Sequence, residues 1–75
     1  MRIISANLNG IRSAATKGFF DWLPGQDADI VCVQELKAQA ADMSEAMRAP
    51  GAYSGYFHYA EKKGYSGVGI YSRHT

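Results

Sequence analysis

Four apolar residues run without interruption from Ile30 to Val33, and the run stops at Gln34-Glu35-Leu36-Lys37. A run this short, rich in β-branched side chains, reads as a strand buried on both faces, the usual state inside a parallel sheet. Cys32, in the middle of it, is then expected to be an inert core thiol. Open α/β sheets gather their chemistry at the carboxyl ends of their strands, and Glu35 stands at such an end. The rest of the chain is therefore read for what can face Glu35.

Upstream, residues 2–7 read as a first strand that ends in Asn7-Leu8-Asn9-Gly10. Asn and Gly tolerate left-handed backbone, so this is a turn. From Ile11 to Leu23 the apolar positions Ile11, Ala15, Phe19, Trp22 and Leu23 fall near helical spacing. Gly18 interrupts them, which predicts a short turn of helix and then a second helix capped near Thr16. Pro24-Gly25 ends it. Strand, helix and strand within 35 residues make a βαβ unit, whose crossover forces the two strands parallel. Asn7 and Asn9 then lie at the same sheet edge as Glu35, if the strands are neighbours.

Downstream, residues 44–48 read as helix, closed by Pro50-Gly51. Residues 53–60 are aromatic and strand-like, with Gly55 as a weak point or bulge. Residues 61–66 are a loop, and residues 67–72 alternate as another strand. These last two strands are expected to pair antiparallel. Tyr53, Tyr56, Phe57 and Tyr59 are read as sheet packing rather than base stacking.

The length of 75 residues allows one small domain at most. A net charge of +1 leaves no global field for a polyanion, so any such attraction must come from local basic groups. A single Cys excludes an internal disulfide and a Cys-based zinc site. No apolar run approaches the roughly 18 residues of a membrane span, and no signal peptide opens the chain. A cytoplasmic protein is the default. The sequence stops directly after a strand, with no helix to cover it. An N-terminal fragment of a longer domain is expected, against the alternative of a small independent domain.

Glu35 with Asn7 and Asn9 makes an all-oxygen corner. Mg²⁺ takes oxygen ligands, few carboxylates, several waters and substrate phosphate, so the corner suits Mg²⁺ and no zinc site. The bland alternative is two turn asparagines and a Glu35 paired with Lys37. Lys37 can also orient Glu35 while pairing with it. His58 and His74 lack a Ser or Cys partner and read as ordinary histidines. Residues 64–69 look like a phosphate-binding glycine loop but open no helix. Arg12, Lys17, Lys62, Lys63 and Arg73 are candidate phosphate contacts. Lys62-Lys63 beside Tyr65 joins charge to an aromatic wedge, as nucleic-acid grooves require, or is a solvated hairpin loop.

Ala28-Asp29-Ile30-Val31-Cys32-Val33-Gln34-Glu35-Leu36-Lys37 resembles the first signature of the exonuclease III family of apurinic/apyrimidinic (AP) endonucleases. Asn7-Leu8-Asn9-Gly10-Ile11-Arg12 resembles that family's opening motif. Gly64-Tyr65-Ser66-Gly67-Val68-Gly69 with Ser72-Arg73 resembles its third N-terminal block. Three blocks in order across nearly the whole chain are far more specific than one.

The resemblance implies an α/β fold, the N-terminal part of a four-layer α/β sandwich: a βαβ unit, then a helix and an antiparallel strand pair. It implies a DNA-repair phosphodiesterase that cuts 5′ to abasic sites with Mg²⁺, or Mn²⁺ in its place. A 3′→5′ exonuclease and a 3′-phosphodiesterase activity come with it. Glu35 and Asn7 would hold the metal and, with Lys37, form the catalytic group. Asn9, Arg12, Lys17, Lys62, Lys63, Gly64 and Tyr65 would face double-stranded DNA. Asn9 stands where some members carry Asp, which favours a hydrogen bond over a metal bond. The family's catalytic Tyr, its Asp-any-Asn motif and its closing Asp-His pair have no counterpart in residues 1–75, so these residues by themselves are expected to be inactive. A monomer is expected. The alternatives are a catalytically silent regulator on the same fold and a phosphoesterase of the wider superfamily that acts on other substrates.

Overall fold

A computed structural model of the chain describes residues 1–62 and 64–74. Its centre is a four-stranded sheet in the order β1-β2-β4-β3. The strands are β1 (Ile3–Asn7), β2 (Ile30–Gln34), β3 (Ser54–His58) and β4 (Val68–Ser72). β1 and β2 run parallel with Ile3 opposite Ile30 and Asn7 opposite Gln34. β4 runs antiparallel to β2 and to β3. The βαβ unit and the antiparallel pair expected from the sequence are both present.

The crossover is broken into pieces. Helix α1 (Ile11–Thr16) ends before Gly18, which sits at φ 96 and caps α2 (Phe19–Trp22). One turn of 3₁₀ helix, Leu23–Gln26, follows. Thr16 is therefore not the N-cap of the second helix. It closes the first, and its hydroxyl donates to the Arg12 carbonyl at 3.1 Å. A left-handed cap needs no Cβ, which gives Gly18 the position instead. Helix α3 (Glu45–Arg48) is a single turn, capped by the Ser44 hydroxyl accepting from the Met47 amide at 3.2 Å.

One side of the sheet carries the core. Val31, Val33, Leu36 and Tyr71 are fully enclosed with Ile11 and Leu23 from the crossover. Tyr71 lies edge-on to Phe20 and Phe57, and its hydroxyl donates to the Met47 carbonyl at 2.5 Å. That burial pushes the Tyr71 phenol well above its usual pKa. The hydroxyl of Tyr53 ties the start of β3 to the Ala28 carbonyl.

The other side is open, and this corrects the reading of β2. Val31 and Val33 are buried, whereas Ile30, Cys32 and Gln34 are only partly covered. Cys32 is thus a half-covered residue of the open face. The same face shows Ile3, Tyr56, Val68 and Ile70. A strand in a two-sheet sandwich is apolar on both sides because a second sheet packs there, about 10 Å away.

Gly55 makes no bulge, since the β3–β4 register is continuous through it. A Cβ there would meet the Arg48 carbonyl at 2.2 Å and the Phe57 ring at 2.6 Å, so the glycine permits a close approach. Among the described residues, no helix is long and apolar enough to cross a membrane.

Candidate functional site

At the carboxyl ends of β1 and β2 three loops are bonded to one another through their backbones. The amides of Leu8, Gly10 and Ile11 donate to the carbonyls of Gln34, Glu35 and Leu36, at 2.8–2.9 Å. On the other side the amides of Leu36 and Lys37 donate to Gly67 and Ser66, at 3.1 and 2.8 Å. The Glu35 loop is thus continued as the middle strand of a small web, held between the loop after β1 and the loop before β4.

The backbone in that web is unusual. Asn9, Glu35, Lys37 and Ser66 all have φ between 46 and 53. For a residue with a Cβ this costs about 1–2 kcal/mol. Such conformations persist where the surroundings dictate them, and they cluster at functional sites. Alternation of left-handed backbone at Glu35 and Lys37 with a buried Leu36 between them drives Leu36 into the core and turns its two charged neighbours outward.

The side chains then converge. The Asn7 amide donates from Nδ2 to Glu35 Oε2. Asn7 Oδ1 accepts from the Asn9 amide at 3.0 Å. Lys37 Nζ donates to Asn9 Oδ1 at 2.5 Å and lies 3.8 Å from Glu35 Oε1. Asn7, Glu35, Lys37 and Asn9 form a closed ring of contacts. Both asparagines lie at the sheet edge of Glu35, as expected for neighbouring parallel strands: Asn7 bonds to Glu35 directly, and Asn9 is joined to it through Asn7 and Lys37.

The ring leaves Glu35 accessible: its side chain is 45% exposed, and Lys37 touches only one oxygen loosely. Asn7 turns its amide nitrogen to the carboxylate and its oxygen to Asn9, so its contacts orient Glu35. The described residues hold no cluster of three or more His, Cys, Asp or Glu that could bind a metal. One accessible, oriented carboxylate fits a hard cation such as Mg²⁺, which keeps several waters and takes few protein ligands. Glu35 is the residue that would hold it; Asn7, which the resemblance implies as a second ligand, turns its nitrogen to the carboxylate and its oxygen to Asn9.

The DNA-facing candidates are distributed around this ring. Lys17 lines a groove of about 450 Å³ together with Asn7, Gly18, Phe19 and Trp22. Lys62 lies over the ring of Tyr65, 4.5 Å from its centroid, and Tyr65 is 58% exposed. Gly64 and Tyr65 lead directly into Ser66 and Gly67, which hold the Glu35 loop. Arg12 Nη2 donates to the Lys37 carbonyl at 3.0 Å. Lys63 lies outside the described residues. Arg73 is elsewhere: it follows the end of β4 that pairs with the start of β2, and its guanidinium binds Asp27 and Asp29. The phosphate contact expected of Arg73 does not fit that position.

Ser66 and Gly67 fall in the 64–69 block read from the sequence, but their hold on the Glu35 loop was missed there. Ser66 and Gly67 act through carbonyls, which no side-chain pattern encodes. Gly67 did leave a trace, as a glycine placed just before a strand; its φ of 94 and the 3.2 Å from its missing Cβ to Leu36 explain it.

Residues 4–75 match the model of the Endonuclease/Exonuclease/phosphatase family. The chain belongs to that family. Its resemblance to exonuclease III and AP endonuclease members extends to individual relatives. An exodeoxyribonuclease of Bacillus subtilis is 42% identical over 74 residues, which cover 97% of this chain and 28% of the relative. An AP endonuclease from Archaeoglobus fulgidus superposes with a TM-score of 0.81 at 34% identity, over 97% of this chain and 28% of that one. A 3′ phosphatase from Neisseria, bound to a product DNA hairpin, superposes at 0.79 with 26% identity, over 97% of this chain and 27% of that one. The chain therefore spans between a quarter and a third of the length of these family members.

Proposed function

We propose that the protein to which this chain belongs is a DNA-repair phosphodiesterase. It would cut the backbone 5′ to abasic sites in double-stranded DNA, with 3′→5′ exonuclease and 3′-phosphodiesterase activity at the same centre. The observation that carries this reading is the Asn7–Glu35–Lys37–Asn9 ring at the sheet edge of an endonuclease/exonuclease/phosphatase fold. The names of the similar proteins, an exodeoxyribonuclease, an AP endonuclease and a DNA-bound 3′ phosphatase, support the substrate class.

Glu35 would hold Mg²⁺, with Mn²⁺ as a substitute; the ion, when bound, offsets negative charge on the phosphate and the leaving oxygen. Asn7 keeps the Glu35 carboxylate aimed. Lys37 sets the position of Asn9 and balances Glu35. Lys17, beside the groove, and Lys62 with Tyr65, beyond the web, would bind the duplex on either side, which makes affinity salt-dependent. The same proposal includes a monomer, a cytoplasmic location and inactivity of residues 1–75 in isolation.

The test is a comparison of substrates. With Mg²⁺ the natural protein should incise an abasic duplex and remove 3′-terminal blocks far faster than it hydrolyses inositol phosphates. A preference for the soluble phosphoester would overturn the DNA reading. Duplex binding without any cleavage would mark a silent relative.

A further inference from the structure

Arg12 occupies a position from which the family resemblance implies a DNA-backbone contact. In the structure its guanidinium, on the surface, is engaged by other groups of the protein. Nη2 donates to the Lys37 carbonyl at 3.0 Å, and Nη1 lies 3.9 Å from Asp42 Oδ1. Asp42 is itself fixed, accepting from the Gln39 amide at 2.9 Å. Lys37 is the residue on which these contacts converge. Its backbone is left-handed at φ 53, its amide is held by Ser66, and its ammonium reaches Asn9 and Glu35. Arg12 supplies the bond on its carbonyl side.

We propose that Arg12 is a positioning residue of the Glu35 site: it fixes the Lys37 peptide and, through the Lys37 ammonium, the carboxylate that takes the cation. This deepens the reading proposed above and rests on it. A guanidinium can serve a carbonyl and a carboxylate at once from its rigid planar fork, whereas an ammonium is a point charge without that geometry. Asp42 also offsets part of the charge that a phosphate would seek.

The experiment uses the protein in its natural form, with Arg12→Lys and Asp42→Asn variants. Mn²⁺ affinity is titrated by electron paramagnetic resonance without DNA. Incision is measured on an abasic duplex, and duplex affinity is measured in EDTA across a salt series. Arg12→Lys keeps the charge and loses the fork. It should weaken Mn²⁺ binding and lower kcat by roughly tenfold each, the usual cost of removing a group that supports a ligand. Metal-free duplex affinity and its salt slope should stay at wild-type values. Asp42→Asn should shift Mn²⁺ affinity in the same direction by a smaller factor. Melting curves of each variant ensure that only folded protein is compared.

Wild-type Mn²⁺ affinity and kcat in Arg12→Lys would overturn the proposal. Arg12→Ala would then lower the salt slope by about one, as loss of a phosphate anchor does. If the wild-type protein incises no duplex, the DNA reading fails, while the Mn²⁺ titration still decides the role of Arg12.

Discussion

Left-handed backbone at Glu35 and Lys37 is the local condition on which the site depends. Each costs about 1–2 kcal/mol, so neither would persist without the carbonyls of Ser66 and Gly67 and the bond from Arg12. Lys37 is then the side chain whose loss should be felt most at the Glu35 carboxylate. Lys37→Met is expected to lower incision roughly tenfold, with duplex affinity in EDTA changed much less than kcat; steady-state kinetics beside a binding isotherm check this. The position of Glu35 was legible in the sequence, because an apolar run that stops at a carboxylate defines a strand end. The conformation of Glu35 was not. Its loop is held by the backbone groups of Gly10, Ser66 and Gly67, and backbone groups look the same in every residue type.

At the scale of elements, Gly67 and Tyr71 are the points where a small change should do most. Gly67→Ala adds a Cβ at φ 94 and presses it against Leu36 at 3.2 Å. We expect a loss of about 2 kcal/mol in denaturant unfolding and a matching loss of incision, since the same residue holds the Glu35 loop. Tyr71→Phe leaves the Met47 carbonyl without its donor and should cost about 1–2 kcal/mol. The parallel β1–β2 pair and the antiparallel β3–β4 pair were readable from the βαβ spacing and the closing hairpin; the antiparallel seat of β4 against β2 was not. The helix break was only half readable. Gly18 marked it, but Thr16 looked like a better cap than glycine, and left-handed geometry decided otherwise. The two-sided burial of β2 was misread for a different reason. An apolar run records what a strand packs against in the whole fold, and the four-stranded sheet covers only one of its faces.

At the scale of the molecule, the two ends of the sheet do different work. The end near Glu35 carries the strained web. The opposite end is tied by Asp29, which accepts from the Arg2 amide at 2.7 Å, from Arg73 at 3.1 Å, and contacts His74 at 2.8 Å. The Arg2 amide, then His74 and Arg73, hold the Asp29 carboxyl well below the usual carboxylate range. A depressed carboxylate contributes stability that is present above its unfolded pKa of about 3.9 and is lost as pH falls toward its folded value. Below about pH 4 the unfolded chain binds this proton and the folded one does not. Urea midpoints at pH 6 and pH 3 should therefore converge more closely in Asp29→Asn than in the wild-type protein. An equal drop in both would remove Asp29 from the acid response.

Glu35 is central to the proposed DNA-cutting centre as the residue that would hold the cation. The measurement that addresses it most directly is Mg²⁺-dependent incision of a duplex with one abasic site, by the natural protein and its Glu35→Gln variant. The amide keeps the shape and removes the charge. Incision 5′ to the lesion by the wild-type protein, reduced by about a hundredfold or more in the variant at saturating Mg²⁺, is the predicted result. Near-normal incision by Glu35→Gln would contradict it and make the ring around Glu35 a structural device.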